Sequence, residues 1–164
     1  MRDDILDQTE DGNYAINLSK VIGGGYGNGW FTNCHARYRL YCGARNTKKS
    51  YDMIGVEPLI KIMSDELRNV LICRKNDSDL RQSAFENLCG RIYDLGLEGS
   101  FITRKNPLEI EYIPTGQKIV FRGLNNPTSL NSLTFAHGFL TDVYIEEAFE
   151  LDSYADFRKL QMVH

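Results

Sequence analysis

Apolar and polar positions follow two rhythms along this chain, and the points where one gives way to the other outline its elements. Between residues 50 and 67, Met53, Ile54, Val56, Leu59, Ile60, Ile62, Met63 and Leu67 recur at helical spacing. Pro58 lies inside that stretch and removes one backbone donor, which predicts a kink, or a second segment opening at Glu57-Pro58. A second helical stripe, Leu80, Ala84, Phe85, Leu88, Ile92, Tyr93 and Leu95, follows Ser78 as a predicted N-cap and ends at Gly96. Residues 69–74 form a short continuous apolar run, the pattern of a parallel strand buried on both faces. From 101 to 123 the period becomes two. Residues 108–113 and 118–122 flank Pro114-Thr115-Gly116 and predict a hairpin. Strands are also predicted at 37–43 and 139–145, a short edge strand at 17–22, and a helix over 154–163 after Asp152-Ser153. Residues 1–17 read as a loose acidic arm ahead of one domain over 18–164, and 125–138 read as a loop. The alternation is that of an α/β domain. The simplest architecture is a mostly parallel sheet flanked by helices, with a β-hairpin insertion.

Composition changes this picture little. At 164 residues with 42% apolar and 25% charged content, one globular domain is expected. A net charge of −3 and a pI near 5.6 argue against a uniformly basic nucleic-acid surface but allow a local basic patch. No apolar run approaches the ~18–20 residues of a membrane helix. The opening Met1-Arg2-Asp3-Asp4 is not a secretory signal, so no membrane association and a cytoplasmic location are expected. Cys34, Cys42, Cys73 and Cys89 are irregularly spaced without a C-x-x-C pair and read as reduced and structural. His35 beside Cys34 lacks the second pair that a metal site needs.

Two stretches carry chemistry. Gly43-Ala44-Arg45-Asn46-Thr47-Lys48-Lys49-Ser50 follows a predicted strand and opens a predicted helix. It fits G-x-x-x-x-G-K-[ST] at every fixed position except Lys48, which stands where the second glycine belongs. Such a loop turns backbone N–H groups toward phosphate at a helix N-terminus. Lys49 would add a point charge and Ser50 a hydroxyl for Mg²⁺. The second stretch is Glu146-Glu147 after the apolar 139–145 run, where a sheet's carboxyl edge would lie. Neighbouring side chains diverge at a strand end, so the two carboxylates can serve a metal and an attacking water separately. Upstream, five glycines crowd 23–29 without the G-x-G-x-x-G spacing. They read either as a mobile turn or as a loop bringing Tyr26, Trp30 and Phe31 to an adenine ring.

The chain resembles the N-terminal ATPase part of phage terminase large subunits, the DNA-packaging motors, of the type found in phages of Gram-positive hosts. The resemblance covers about 18–160. It rests on Ile22-Gly23-Gly24-Gly25-Tyr26 with Trp30, Arg37-Tyr38-Arg39 ahead of the 43–50 loop, Arg74-Lys75, and Arg81-Gln82-Ser83-Ala84-Phe85. Pro107-Leu108-Glu109-Ile110, the 114–124 stretch and Ile145-Glu146-Glu147-Ala148 complete it. In that family a lysine often replaces the second glycine, whereas Asn46 stands where a glycine is usual. The resemblance implies a P-loop NTPase fold and ATP with Mg²⁺ as cofactors. Residues 43–50 would bind ATP, Ser50 and Glu146 would lie on the metal, and Glu147 would be the general base. Arg45 would act as a charge sensor within the loop, and Arg81, Arg74 and Arg122 are candidates for the arginine on the γ-phosphate. It also implies double-stranded DNA, a terminase small subunit, a portal protein and further copies of the large subunit as partners. Family members continue into a nuclease domain. The chain stops at His164 inside a predicted helix, which suggests a fragment or a truncated remnant, active as an ATPase or catalytically silent. A domain that grips DNA phosphate without using ATP is the remaining alternative.

Overall fold

The computed structural model describes residues 6–10, 14–21, 36–43, 49–64, 67–125, 130 and 133–161. The predicted glycine-rich loop at 23–31, loop residues 44–48, and the Cys34-His35 pair lie outside them.

A five-stranded sheet carries the fold, in the order β4 (Phe101–Lys105), β5 (Leu108–Tyr112), β6 (Lys118–Gly123), β3 (Arg68–Arg74), β7 (Phe139–Ile145). Strand β3 (Arg68–Arg74) is central and buried along its middle. Val70 and Ile72 pack on one face of the sheet, and Leu71 and Cys73 on the other. Strand β6 (Lys118–Gly123) and strand β7 (Phe139–Ile145) both run parallel to β3. Strand β5 (Leu108–Tyr112) is antiparallel to β6, and strand β4 (Phe101–Lys105) is antiparallel to β5. The sheet is therefore mixed, not mostly parallel, and the hairpin is part of it, not an insertion. The reason is local. Gly116, at φ 74°, lets the chain reverse within a few residues, and the Gly116 amide donates to the Tyr112 carbonyl at 2.8 Å. A tight turn enforces antiparallel pairing, while only the longer crossovers returning to β3 can be parallel.

One long helix precedes β3. It begins at or before Lys49, makes wide π-type turns over Tyr51–Val56 and continues as an α-helix over Glu57–Ser64. The irregularity expected at Pro58 thus appears as a register change one step ahead of it. The Glu57 amide donates to Asp52, five residues back. Leu67 lies beyond the helix and is exposed. The second helix runs through Asp77–Leu80, a π-type stretch at Arg81–Phe85 and Glu86–Asp94. Its cap is Asn76, with extended backbone, and not Ser78. Gly96, at φ 64°, ends it: its amide reaches the Tyr93 carbonyl and the Leu97 amide reaches Ile92, both at 2.9 Å. The predicted stripe is buried except for Tyr93, which faces solvent. The two helices touch closely at Gly55, where a Cβ would lie 2.7 Å from Arg91 Cγ.

Three further expectations change. Within the predicted loose arm, Leu6–Gln8 and Tyr14–Ile16 pair as a small antiparallel ribbon, β1 and β2. Residues Leu18–Val21 form a helical turn, not an edge strand. Segment 36–43 joins no ladder among the described residues, and Tyr38, Leu40 and Cys42 are exposed there. Apolar residues alone do not make a strand without a neighbour to accept its hydrogen bonds. The last helix, Tyr154–Gln161, forms as predicted.

Two buried amides fasten the start of the parallel strands. Asn69 donates to the His137 carbonyl at 2.7 Å and accepts from the Lys118 amide at 2.8 Å. Gln117 donates to the Arg68 carbonyl at 2.6 Å. Asn69→Leu strands these partners without water, so urea unfolding should show a loss of roughly 2–3 kcal/mol. A change under about 0.5 kcal/mol would show that water or relaxation replaces the bonds.

Candidate functional site

The first long helix brings Lys49 and Ser50 to the edge of the sheet as its opening residues, and Ser50 makes no cap hydrogen bond with its hydroxyl. The Asn87 amide donates to the Ser50 carbonyl at 3.2 Å, which ties this helix start to the second helix. Strand β7 carries Glu146 to the same region. Its amide extends the β3–β7 ladder by donating to the Cys73 carbonyl at 2.8 Å.

A cleft of about 1120 Å³ lies between segment 36–43, the start of the first long helix and β7. Lys49, Ser50 and Glu146 line it together, with Arg37, Arg39, Lys61 and Arg68 adding positive charge. Gly43 is exposed. Ala44, Arg45, Asn46, Thr47 and Lys48 lie outside the described residues.

Glu146 is 9% exposed. Burial pushes its carboxyl above the ordinary glutamate range, and the neighbouring Glu147 and Glu150 add to this. A hydrogen bond from Ser83 and the charge of Arg74 pull the other way. The Ser83 hydroxyl donates to Glu146 Oε2 at 2.6 Å. Arg74 stands 4.0 Å from the same oxygen and binds Glu150 with two hydrogen bonds, at 2.9 and 2.6 Å. The next residue, Glu147, has left-handed backbone at φ 51°, among described residues the single non-glycine with positive φ. Such a conformation costs energy and concentrates at functional sites. Glu147 does not line the cleft.

Arg81 is also outside the cleft lining. It is exposed and donates to the Lys105 carbonyl at 2.8 Å. Arg122 donates to the Phe121 carbonyl at 2.7 Å, back along its own strand.

A charged network missed in the sequence backs the cleft. The fully buried Glu57 pairs with Arg39 and, at 3.2 Å, with Lys61. Lys61 also pairs with Asp142, which holds Arg68 at 3.1 Å. Burial raises the Asp142 carboxyl, but hydrogen bonds from Lys61 and Thr141 and the charges of Lys61 and Arg68 outweigh it, leaving it below the ordinary aspartate range. Burial, with Glu57 and Asp142 nearby, keeps Tyr144 protonated well above the usual tyrosine range. The signals were present: Glu57 interrupts an apolar helical stripe, and Asp142 interrupts an apolar strand.

A carboxylate whose folded pKa is depressed adds stability above its unfolded pKa and loses it as pH falls through the folded value. Asp142→Asn should therefore be less stable than wild type at neutral pH, with the gap closing below about pH 4. Urea unfolding from pH 7 down to pH 3 checks this, and a gap independent of pH would refute it.

Among the described residues no three His, Cys, Asp or Glu side chains gather as a metal cage. The cleft instead offers the hydroxyls of Ser50 and Thr141, the carboxylates of Glu146 and Asp142 (the latter held by Lys61 and Arg68) and several cations, oxygen donors of the kind that hold Mg²⁺ together with phosphates.

Together these features define an α/β domain with a cleft rich in basic side chains along the edge strand β7. The family model described as "Phage terminase large subunit" matches residues 35–162, and the chain belongs to that family. It is 27% identical over 128 residues to the PBSX phage terminase large subunit of Bacillus subtilis (strain 168), covering 78% of this chain and 28% of that protein. It is 28% identical over 116 residues to the terminase large subunit of Bacillus phage SPP1, covering 71% of this chain and 27% of that one. The chain thus spans just over a quarter of the length of these curated relatives. No helix among the described residues is long and apolar enough to cross a membrane.

Proposed function

We propose that this chain is the P-loop ATPase domain of a phage terminase large subunit, acting in the packaging of double-stranded DNA into procapsids. The observation that carries the reading is the shared cleft of Lys49, Ser50 and Glu146. Loop residues 43–50 would wrap the phosphates with backbone N–H groups, and Lys49 would neutralise their outer charge. Ser50 and Glu146 would hold Mg²⁺. When bound, the metal neutralises charge developing on the transferred phosphoryl group. Glu147, on the left-handed turn after Glu146 and outside the cleft lining, would turn into the cleft to orient the attacking water and accept its proton. Arg81 is the proposed cation for the γ-phosphate, and to reach it Arg81 would exchange its bond to the Lys105 carbonyl. The terminase small subunit, the portal protein and further large subunits are the partners this function requires.

Calorimetric titration of the chain with ATP, with and without Mg²⁺, tests the reading. Binding that strengthens with Mg²⁺ and disappears in Lys49→Ala is expected. No binding at millimolar ATP would overturn it. Binding without turnover would instead identify a silent nucleotide-holding module.

A further inference from the structure

Ser83 sits in the middle of the π-type stretch Arg81–Phe85 of the second helix. Its neighbours Leu80, Ala84 and Phe85 are all in the core, so the wide turn lets one polar residue face the sheet edge without exposing that apolar face. Irregular turns of this kind are frequent at functional sites. The Ser83 hydroxyl lies 2.6 Å from Glu146 Oε2 and 2.8 Å from the Asp79 carbonyl. It has one hydrogen to give. A carboxylate is the stronger acceptor, and the shorter distance is to Glu146. The bond to the i−4 carbonyl is the ordinary resting place of a helical serine and would need no partner across the fold. Arg74 cannot do the same work, because it is 4.0 Å from Glu146 and already spends two hydrogen bonds on Glu150. Among the described residues no hydrogen bond engages Glu146 Oε1.

We infer that Ser83 is a positioning residue for Glu146: it holds one carboxylate oxygen and leaves the other for the cation of a nucleotide in the cleft. The inference rests on the proposed metal-side role of Glu146. Backbone and side chain of Glu146 are then set separately, the first by the β3–β7 ladder and the second by a helix 63 residues away in sequence.

The test is calorimetric ATP titration of the 164-residue chain at stepped Mg²⁺ concentrations. Removing a group that orients a metal ligand typically costs 10–100-fold in metal affinity. Ser83→Ala should raise the half-saturating Mg²⁺ about 10-fold, leave metal-free ATP binding within about twofold, and lower the melting temperature by roughly 3–12 °C, as expected for one lost hydrogen bond to a charged group, so that it stays folded at the temperature of titration. Ser83→Thr, which restores a hydroxyl, should recover most of the loss. If Glu146→Gln raises the Mg²⁺ requirement and Ser83→Ala does not, the positioning role is overturned and the metal-side role of Glu146 stands. If neither variant changes it, the metal-side reading fails and this inference falls with it.

Discussion

In a phosphate-release assay, the Glu147→Gln chain should turn ATP over roughly 10²–10⁴-fold more slowly than wild type, the usual contribution of a positioned general base. Its ATP affinity should stay within about a factor of two, because the glutamine keeps the size and hydrogen-bonding reach of the side chain. This split between binding and turnover separates Glu147 from Lys49, whose loss is expected to remove binding itself. The argument rests on the contrast between adjacent residues. Glu146 is buried and hydrogen-bonded, whereas Glu147 sits half-buried on a left-handed turn. Holding a glutamate at φ 51° has a cost, and Glu147→Gly would relieve it. A glycine variant that is more stable but inactive would show strain kept for function. Equal turnover in wild type and Glu147→Gln would remove Glu147 from the mechanism.

Glu57→Ala should destabilise the fold by about 3–5 kcal/mol, the penalty for breaking a buried ion pair from one side. The carboxylate is fully buried, and its partners Arg39 and Lys61 are themselves largely shielded, with side chains 16% and 18% exposed. Removing it takes from Arg39 its buried carboxylate partner, while Lys61 keeps Asp142 and stays 5.4 Å from the Tyr144 ring centroid. For a domain of this size the melting temperature should fall by roughly 6–20 °C, at about 2–4 °C per kcal/mol. Arg39 precedes the 43–50 stretch and Glu57 follows it, so this pair ties together both flanks of the proposed phosphate loop. Glu57→Ala should therefore also weaken ATP binding at temperatures where it remains folded. A melting temperature within 2 °C of wild type, on the order of 1 kcal/mol, would refute the estimate.

The sequence by itself determined the elements whose burial repeats locally. Strand β3 was legible because both faces are buried, which leaves an uninterrupted apolar run. The two long helices were legible from their buried stripes, strand β7 from its residue types although it is only partly buried, and Glu146-Glu147 from its place at a strand end. Segment 36–43 has the residue types of a strand, yet no neighbour pairs with it among the described residues. Only the tertiary structure decided the mixed pairing of the sheet, since a hairpin reads the same in sequence whether it is an insertion or lies against β3. It alone put Ser83 on Glu146, Arg39 on Glu57 and Lys61 on Asp142, across 63, 18 and 81 residues of chain. Periodicity records which way a side chain faces. Which partner it meets there depends on crossovers and packing that no local pattern encodes.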